Sequence, residues 1–156
     1  MFSRLSGVND DAGNVVSGTQ AAGQQMNDLG GKLAEGFAPA VKSWNDAKSC
    51  VEQSKTAPAK AADAAKKALA TMPSNGLANH CLGMLTLAKG TKADTAEAMR
   101  YFGEAVKGDP LSLAAWTQLA AGYEVSGDTA KTIDALQQML RIAPTNAPLR
   151  DLVFKK

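Results

Sequence analysis

The chain has one histidine, two cysteines and few aromatic residues, which make up 5% of it. Its only histidine, His80, has no carboxylate at a spacing that would orient it as a general base. Serine, cysteine and histidine form no nucleophile motif. Runs of β-branched and aromatic residues are missing, so no strand is expected. The glycines between residues 13 and 36 therefore follow no strand and do not read as a phosphate cradle. No apolar run approaches the ~18 residues of a membrane span. A net charge of +2 gives no case for nucleic acid. The start, MFSRLSGVNDDAG, lacks the apolar core of a signal peptide, and its two acidic residues argue against a mitochondrial presequence. The expectation is a non-enzymatic protein with no cofactor and no metal.

What is present is alanine. Hydrophobic residues make 45% of the 156 positions, enough for one domain or a small domain plus an arm. Residues 1–13 are polar and read as an extended segment or loop. From Asn14 to Phe37 glycines recur, yet an apolar stripe survives: Val15, Val16, Thr19, Ala22, Met26, Leu29, Leu33 and Phe37. Its steps fit one face of a helix. Each interior glycine costs ~1 kcal/mol against alanine, so such a helix is marginal alone. A flexible tail and a helix ordered by packing both remain open. Charge divides here too. Residues 1–38 carry Arg4 and Lys32 against Asp10, Asp11, Asp28 and Glu35, a net −2, and the remainder is +4.

Pro39 suits the first turn of a helix, and from there the chain reads as helical hairpins. Expected helices cover about 39–55, 58–71, 75–89, 93–107, the two halves of 113–144, and a short piece at 146–154. Breaks fall at Pro58, Pro73, Pro110 and Pro144, and at the Gly127-Asp128 turn. The second helices share one template. Twelve, eight and five residues before Pro73 stand Ala61, Ala65 and Ala68. The same offsets give Ala98, Phe102 and Ala105 before Pro110, and Thr132, Leu136 and Met139 before Pro144. From Pro110 to Pro144 is 34 residues; from Pro73 to Pro110 is 37, with the excess placed in the turn from Lys89 to Asp94.

The first helices match less evenly. The third hairpin has Trp116-x2-Leu119-Ala120-x2-Tyr123, the second Asn79-x2-Leu82-Gly83-x2-Thr86, and the first Trp44-x2-Ala47-Lys48-x2-Val51. With the Ala-x3-Phe and terminal Pro of the second helices, this resembles the tetratricopeptide (TPR) repeat family over about residues 40–144. The resemblance implies an all-α solenoid: three hairpins at about 39–73, 74–110 and 111–144, a cap at 146–156, and an arm at 1–38. Each unit buries its apolar face only against the next. Trp44, Trp116, Tyr123 and Phe102 are then expected in the core.

In TPR proteins the first helices line the inner, partner-binding surface. Matching slots offer Asn45, Ser49 and Glu52, then His80, Met84 and Leu87, then Thr117, Ala121 and Glu124. The Lys/Asn carboxylate clamp of the chaperone-binding members is absent. Cys50 and Cys81 with His80 lack metal-ligand spacing. They read as two small buried hydrophobes or as a disulfide, since neighbouring first helices would place them about one turn apart. A bridge would imply an oxidising compartment. If Met1 is a native start the chain is cytosolic by default; a processed start or a bridge points to a secreted or cell-envelope location.

Two functions follow as expectations. The first is a protein–protein interaction scaffold binding a peptide or helix through the TPR surface. The second is a subunit that self-assembles into a filament or oligomer. There the arm face Met26, Leu29, Leu33 and Phe37 docks on a neighbouring copy.

Overall fold

A computed structural model describes the backbone of residues 3–154 and the side chains of residues 21–153. Among the described residues there are seven helices and no strand: α1 (Ser3–Gln53), α2 (Pro58–Thr71), α3 (Gly76–Leu87), α4 (Lys92–Gly108), α5 (Leu113–Ser126), α6 (Thr129–Ile142) and α7 (Ala147–Phe154). The chain divides into two compact units, Met1–Pro39 and Ala40–Lys156.

Two expectations are corrected in α1. Residues 3–13 are helical, not extended, and Pro39 lies inside the helix instead of starting it. The physical reason is cooperativity: nucleation is the unfavourable step, and a helix once begun grows one bond per residue. Between Ser3 and Pro39 no other proline interrupts it, and Gln, Ala, Met, Leu and Lys offset part of the glycine cost. Pro39 forfeits one backbone hydrogen bond, at roughly 3 kcal/mol, without ending the helix. Val15, Val16 and Thr19 of the apolar stripe lie outside the described side chains. Met26, Leu29, Leu33 and Phe37 are all largely exposed, from 59% for Leu29 to 69% for Met26.

The unit Ala40–Lys156 is a run of helical hairpins with well-made ends. Asn75, Ser112 and Asp128 cap α3, α5 and α6 through their side chains. Thr91 caps α4 in a capping box with Asp94, so the helix starts at Lys92, inside the turn expected from Lys89 to Asp94. The extra length of the second repeat therefore lies partly in α4, which has 17 residues against 14 in α6. Gly127, with φ of 76°, ends α5 in the left-handed conformation that glycine adopts without steric cost.

The second-helix template forms the core. Ala61, Ala65, Ala68, Ala98, Phe102, Ala105, Thr132 and Leu136 are buried, and Met139 packs partly buried beside Leu136. Small residues on the first helices meet them. A methyl group placed on Gly83 would lie 2.5 Å from Phe102 Cε1, so the Phe102 ring occupies the space a side chain would need.

In the first hairpin the expected register is off by one. Ser43, Ala47 and Cys50 are buried, while Trp44 and Val51 are 54% and 45% exposed. The buried pattern is thus Ser43-x3-Ala47-x2-Cys50, with small Ala47 in the slot of Gly83 and Ala120 and half-buried Asp46 in the slot of Leu82 and Leu119. The cause is volume. The opposing surface is Ala61, Ala65, Ala68 and Ala78, packed close around Ala47 and Cys50; an indole turned inward would overpack it. A polar tie fixes this rotation. Ser43 Oγ donates to Ala68 O of α2 (2.9 Å) and accepts from Asn75 Nδ2 of the α3 cap (2.8 Å).

Two glycine substitutions separate close approach from helix propensity. Gly83→Ala should destabilise by about 1–3 kcal/mol through collision with Phe102. Gly103→Ala, where the added methyl meets nothing within 4 Å, should stabilise α4 by about 0.5–1 kcal/mol. Urea unfolding of both variants measures the two signs; equal effects would remove the close-approach argument.

Candidate functional site

The nine residues expected on the inner surface fall into three settings. On α5, Thr117, Ala121 and Glu124 join Leu136 and Met139 of α6 and Leu149 and Leu152 of α7 around an open cavity of about 210 Å³. Aliphatic side chains make most of its wall. Leu149 is buried where α7 begins, under an Asn146 cap whose Oδ1 accepts from Leu149 N at 3.1 Å. This cavity therefore exists because α7 closes the end of the last hairpin.

On α3 the three residues differ. Met84 is 40% exposed. Leu87 packs against the core of Ala98, Phe102 and Leu119. His80 is half-buried, its ring centroid 5.7 Å from that of Phe102, and its Nε2 is buried without a hydrogen-bond partner. Burial holds the imidazole pKa below its usual 6.5, because the charged form loses hydration and gains no partner. A neutral, unoriented imidazole against a phenyl ring acts as a packing group.

On α1, Asn45 and Glu52 are exposed, and Glu52 pairs with Lys48 at 3.7 Å. Ser49 lies elsewhere, in a polar cleft of about 290 Å³ with Asp46, Gln53, Lys60, Asp63 and Lys67. The residues that sequence reasoning missed are Val41, Trp44 and Val51, exposed together on one face of α1. Lys48 sits with its Nζ 5.6 Å from the Trp44 ring centroid, a cation–π contact. The signal that could have found them is the position of the small residue. Aligning Ala47 with Gly83 and Ala120 turns Trp44 outward.

Cys50 of α1 and Cys81 of α3 are both buried, with Cα atoms 6.3 Å apart and sulfurs 1.96 Å apart, as a disulfide. Among the described residues no group of three or more His, Cys, Asp or Glu side chains could hold a metal ion. No described helix is long and apolar enough to cross a membrane.

Comparison with known proteins supplies the rest. No family model matches the chain. Over 49 residues, 31% of the chain, it is 45% identical to cellulose synthase 1 operon protein C of Komagataeibacter xylinus, and the match spans only 4% of that protein. Among solved structures it matches MamA, with a TM-score of 0.57 and 17% identity, covering 78% of this chain and 69% of that one. The fold is a TPR-like α-solenoid.

Half-buried His80 also makes the stability of the solenoid fall on the acid side. Its folded pKa is depressed, so the unfolded chain binds the proton first. Stability is full above about 6.5 and falls as pH drops through that value toward the lower folded pKa. Asp128, held below its usual 3.8 chiefly by a hydrogen bond from Lys131, loses its contribution only in a more acid window. Urea midpoints between pH 7.5 and about 5 should therefore fall for the native chain and stay flatter for His80→Leu. Parallel curves would assign the loss to another group.

Proposed function

We propose that this chain is a non-enzymatic scaffold that binds a peptide or helix of a protein partner through the exposed faces of α1, α3 and α5. The observation that supports it is the outward rotation of α1. In the buried register, the partner-facing slots of the first hairpin become Trp44, Lys48 and Val51 in place of Asn45, Ser49 and Glu52. Repeat equivalence sets them in series with His80 and Met84, then with Thr117, Ala121 and Glu124. The surface then carries an aromatic anchor, a flexible methionine and an aliphatic cavity. Large apolar groups of this kind contribute most where a partner excludes water from them.

The test is a displayed peptide library panned against the folded chain. Enriched peptides should share apolar residues at a fixed spacing, and their binding should fall about tenfold or more in Trp44→Ala, the scale of an aromatic hot spot. With Trp116→Phe as background, Trp44 emission should shift on binding. Equal binding by Trp44→Ala would move the partner surface off α1.

A second reading rests on the arm. Met26, Leu29, Leu33 and Phe37 form an exposed apolar face, which suits docking on another copy of the chain. A repeated head-to-tail contact of that kind gives filaments unless it closes. Light scattering of the full chain should then exceed the 16.2 kDa of one copy, and removal of residues 1–38 should restore the monomer. Assembly that survives the deletion would exclude the arm as the coupling element.

A further inference from the structure

The fully buried part of the first hairpin is built from small side chains, with Leu69 of α2 half-buried beside them. Its buried side chains are Ser43, Ala47 and Cys50 from α1 and Ala61, Ala65 and Ala68 from α2. None is larger than cysteine, whereas the later hairpins bury Phe102, Leu119 and Leu136. An alanine methyl removes little apolar area from water, and buried area sets the hydrophobic contribution. The hairpin faces α3 through Ala78, Cys81 and Leu82. Its polar tie there is the Ser43–Asn75 hydrogen bond. The Cys50–Cys81 bridge crosses the same boundary, and the 31-residue separation it closes contains all of α2.

We propose that the Cys50–Cys81 bridge is a covalent latch on the first hairpin. Closed, it keeps α2 and the adjoining Ser43–Cys50 face of α1 docked on α3. Open, that hairpin undocks as a unit while α3 to α7 stay folded. The argument is one of differential cooperativity. Local opening is cheapest where few large apolar contacts must break, and a cross-link acts by limiting the states the released segment can reach.

The opening chemistry needs a dithiol reductant. One of its thiolates attacks a bridge sulfur, its second thiol closes its own ring disulfide, and two electrons and two protons pass to Cys50 and Cys81 as thiols. Both sulfurs are buried, so attack waits on a brief local fluctuation that exposes one of them, and lasting undocking follows the loss of the bridge. Reclosure by a disulfide oxidant, which takes back two electrons and two protons, needs the hairpin redocked. If the partner reading above holds, the latch also governs whether Trp44 and Val51 are presented in series with Met84.

Hydrogen–deuterium exchange of the full chain, read by mass spectrometry, tests the latch without reference to any partner. Three forms are compared: oxidised, refolded in dithiothreitol with both thiols verified by mass, and Cys50→Ala/Cys81→Ala. Peptides from α2 should exchange about tenfold or more faster in both bridge-free forms, with those from α4 to α6 changing less than about twofold. Unchanged protection of α2 overturns the latch. So does loss of protection across all helices, which would make the bridge a global staple. Faster exchange in the alanine variant alone also overturns it, because the reduced chain keeps both sulfurs in the core.

Discussion

Phe102 lies across Gly83 with no room for even a methyl group between them, and much of the solenoid follows from contacts of that kind. The separation of two packed helices is set by the side chains at the contact. Here those side chains are Ala47, Gly83 and Ala120 on the first helices, all buried. Ala61, Ala65, Ala68, Ala98 and Ala105 answer them from the second helices. Close approach gains dispersion contacts between backbones, but it leaves little apolar volume per hairpin. No hairpin is then a sufficient core alone, and each buries its remaining face on the next.

That constraint bears hardest on the first hairpin. It buries no side chain larger than cysteine, and it has instead a buried hydroxyl with two partners and a sulfur bridge to α3. Ser43 is a better register device than a leucine would be. A hydrogen bond is directional, and a one-residue rotation of α1 would carry Ser43 away from Ala68 O and from the Asn75 amide, losing both bonds at a net cost of about 0.5–1.5 kcal/mol each. The rotation that presents Trp44 outward is thus fixed from inside.

Much of the fold was legible from punctuation and spacing. Proline positions and the three-fold template of the second helices located the hairpins, because small residues at fixed offsets are what close packing demands. The TPR resemblance of Trp116, Leu119, Ala120 and Tyr123 rested on the same physics. Two things were not legible. The continuous α1 depends on helix growth from an existing nucleus, which local glycine and proline content does not report. The rotation of α1 depends on the volume left by alanines on other helices, and aromatic identity pointed the wrong way. Of the candidate surface, the α5 residues converge on one cavity with α6 and α7, whereas Ser49 and Leu87 serve neighbouring helices.

An alanine-rich solenoid has few large apolar side chains to place, so where it places them is informative. Phe102, Leu119 and Leu136 are inside. Trp44, Val51 and Met84 are outside, as are Met26, Leu29, Leu33 and Phe37 of the arm. Folding alone would favour burying them, since full burial of a side chain of this size contributes roughly 1.5–3 kcal/mol and these are only partly covered. Single exposed apolar residues are ordinary, but several aligned on one helical face are a surface that another molecule can cover. The two apolar faces also differ in support. Trp44 and Val51 stand on a helix held by Ser43 and the Cys50–Cys81 bridge, which presents them in a fixed geometry. An apolar group already held in one geometry loses less entropy when it is covered than one that must first be ordered.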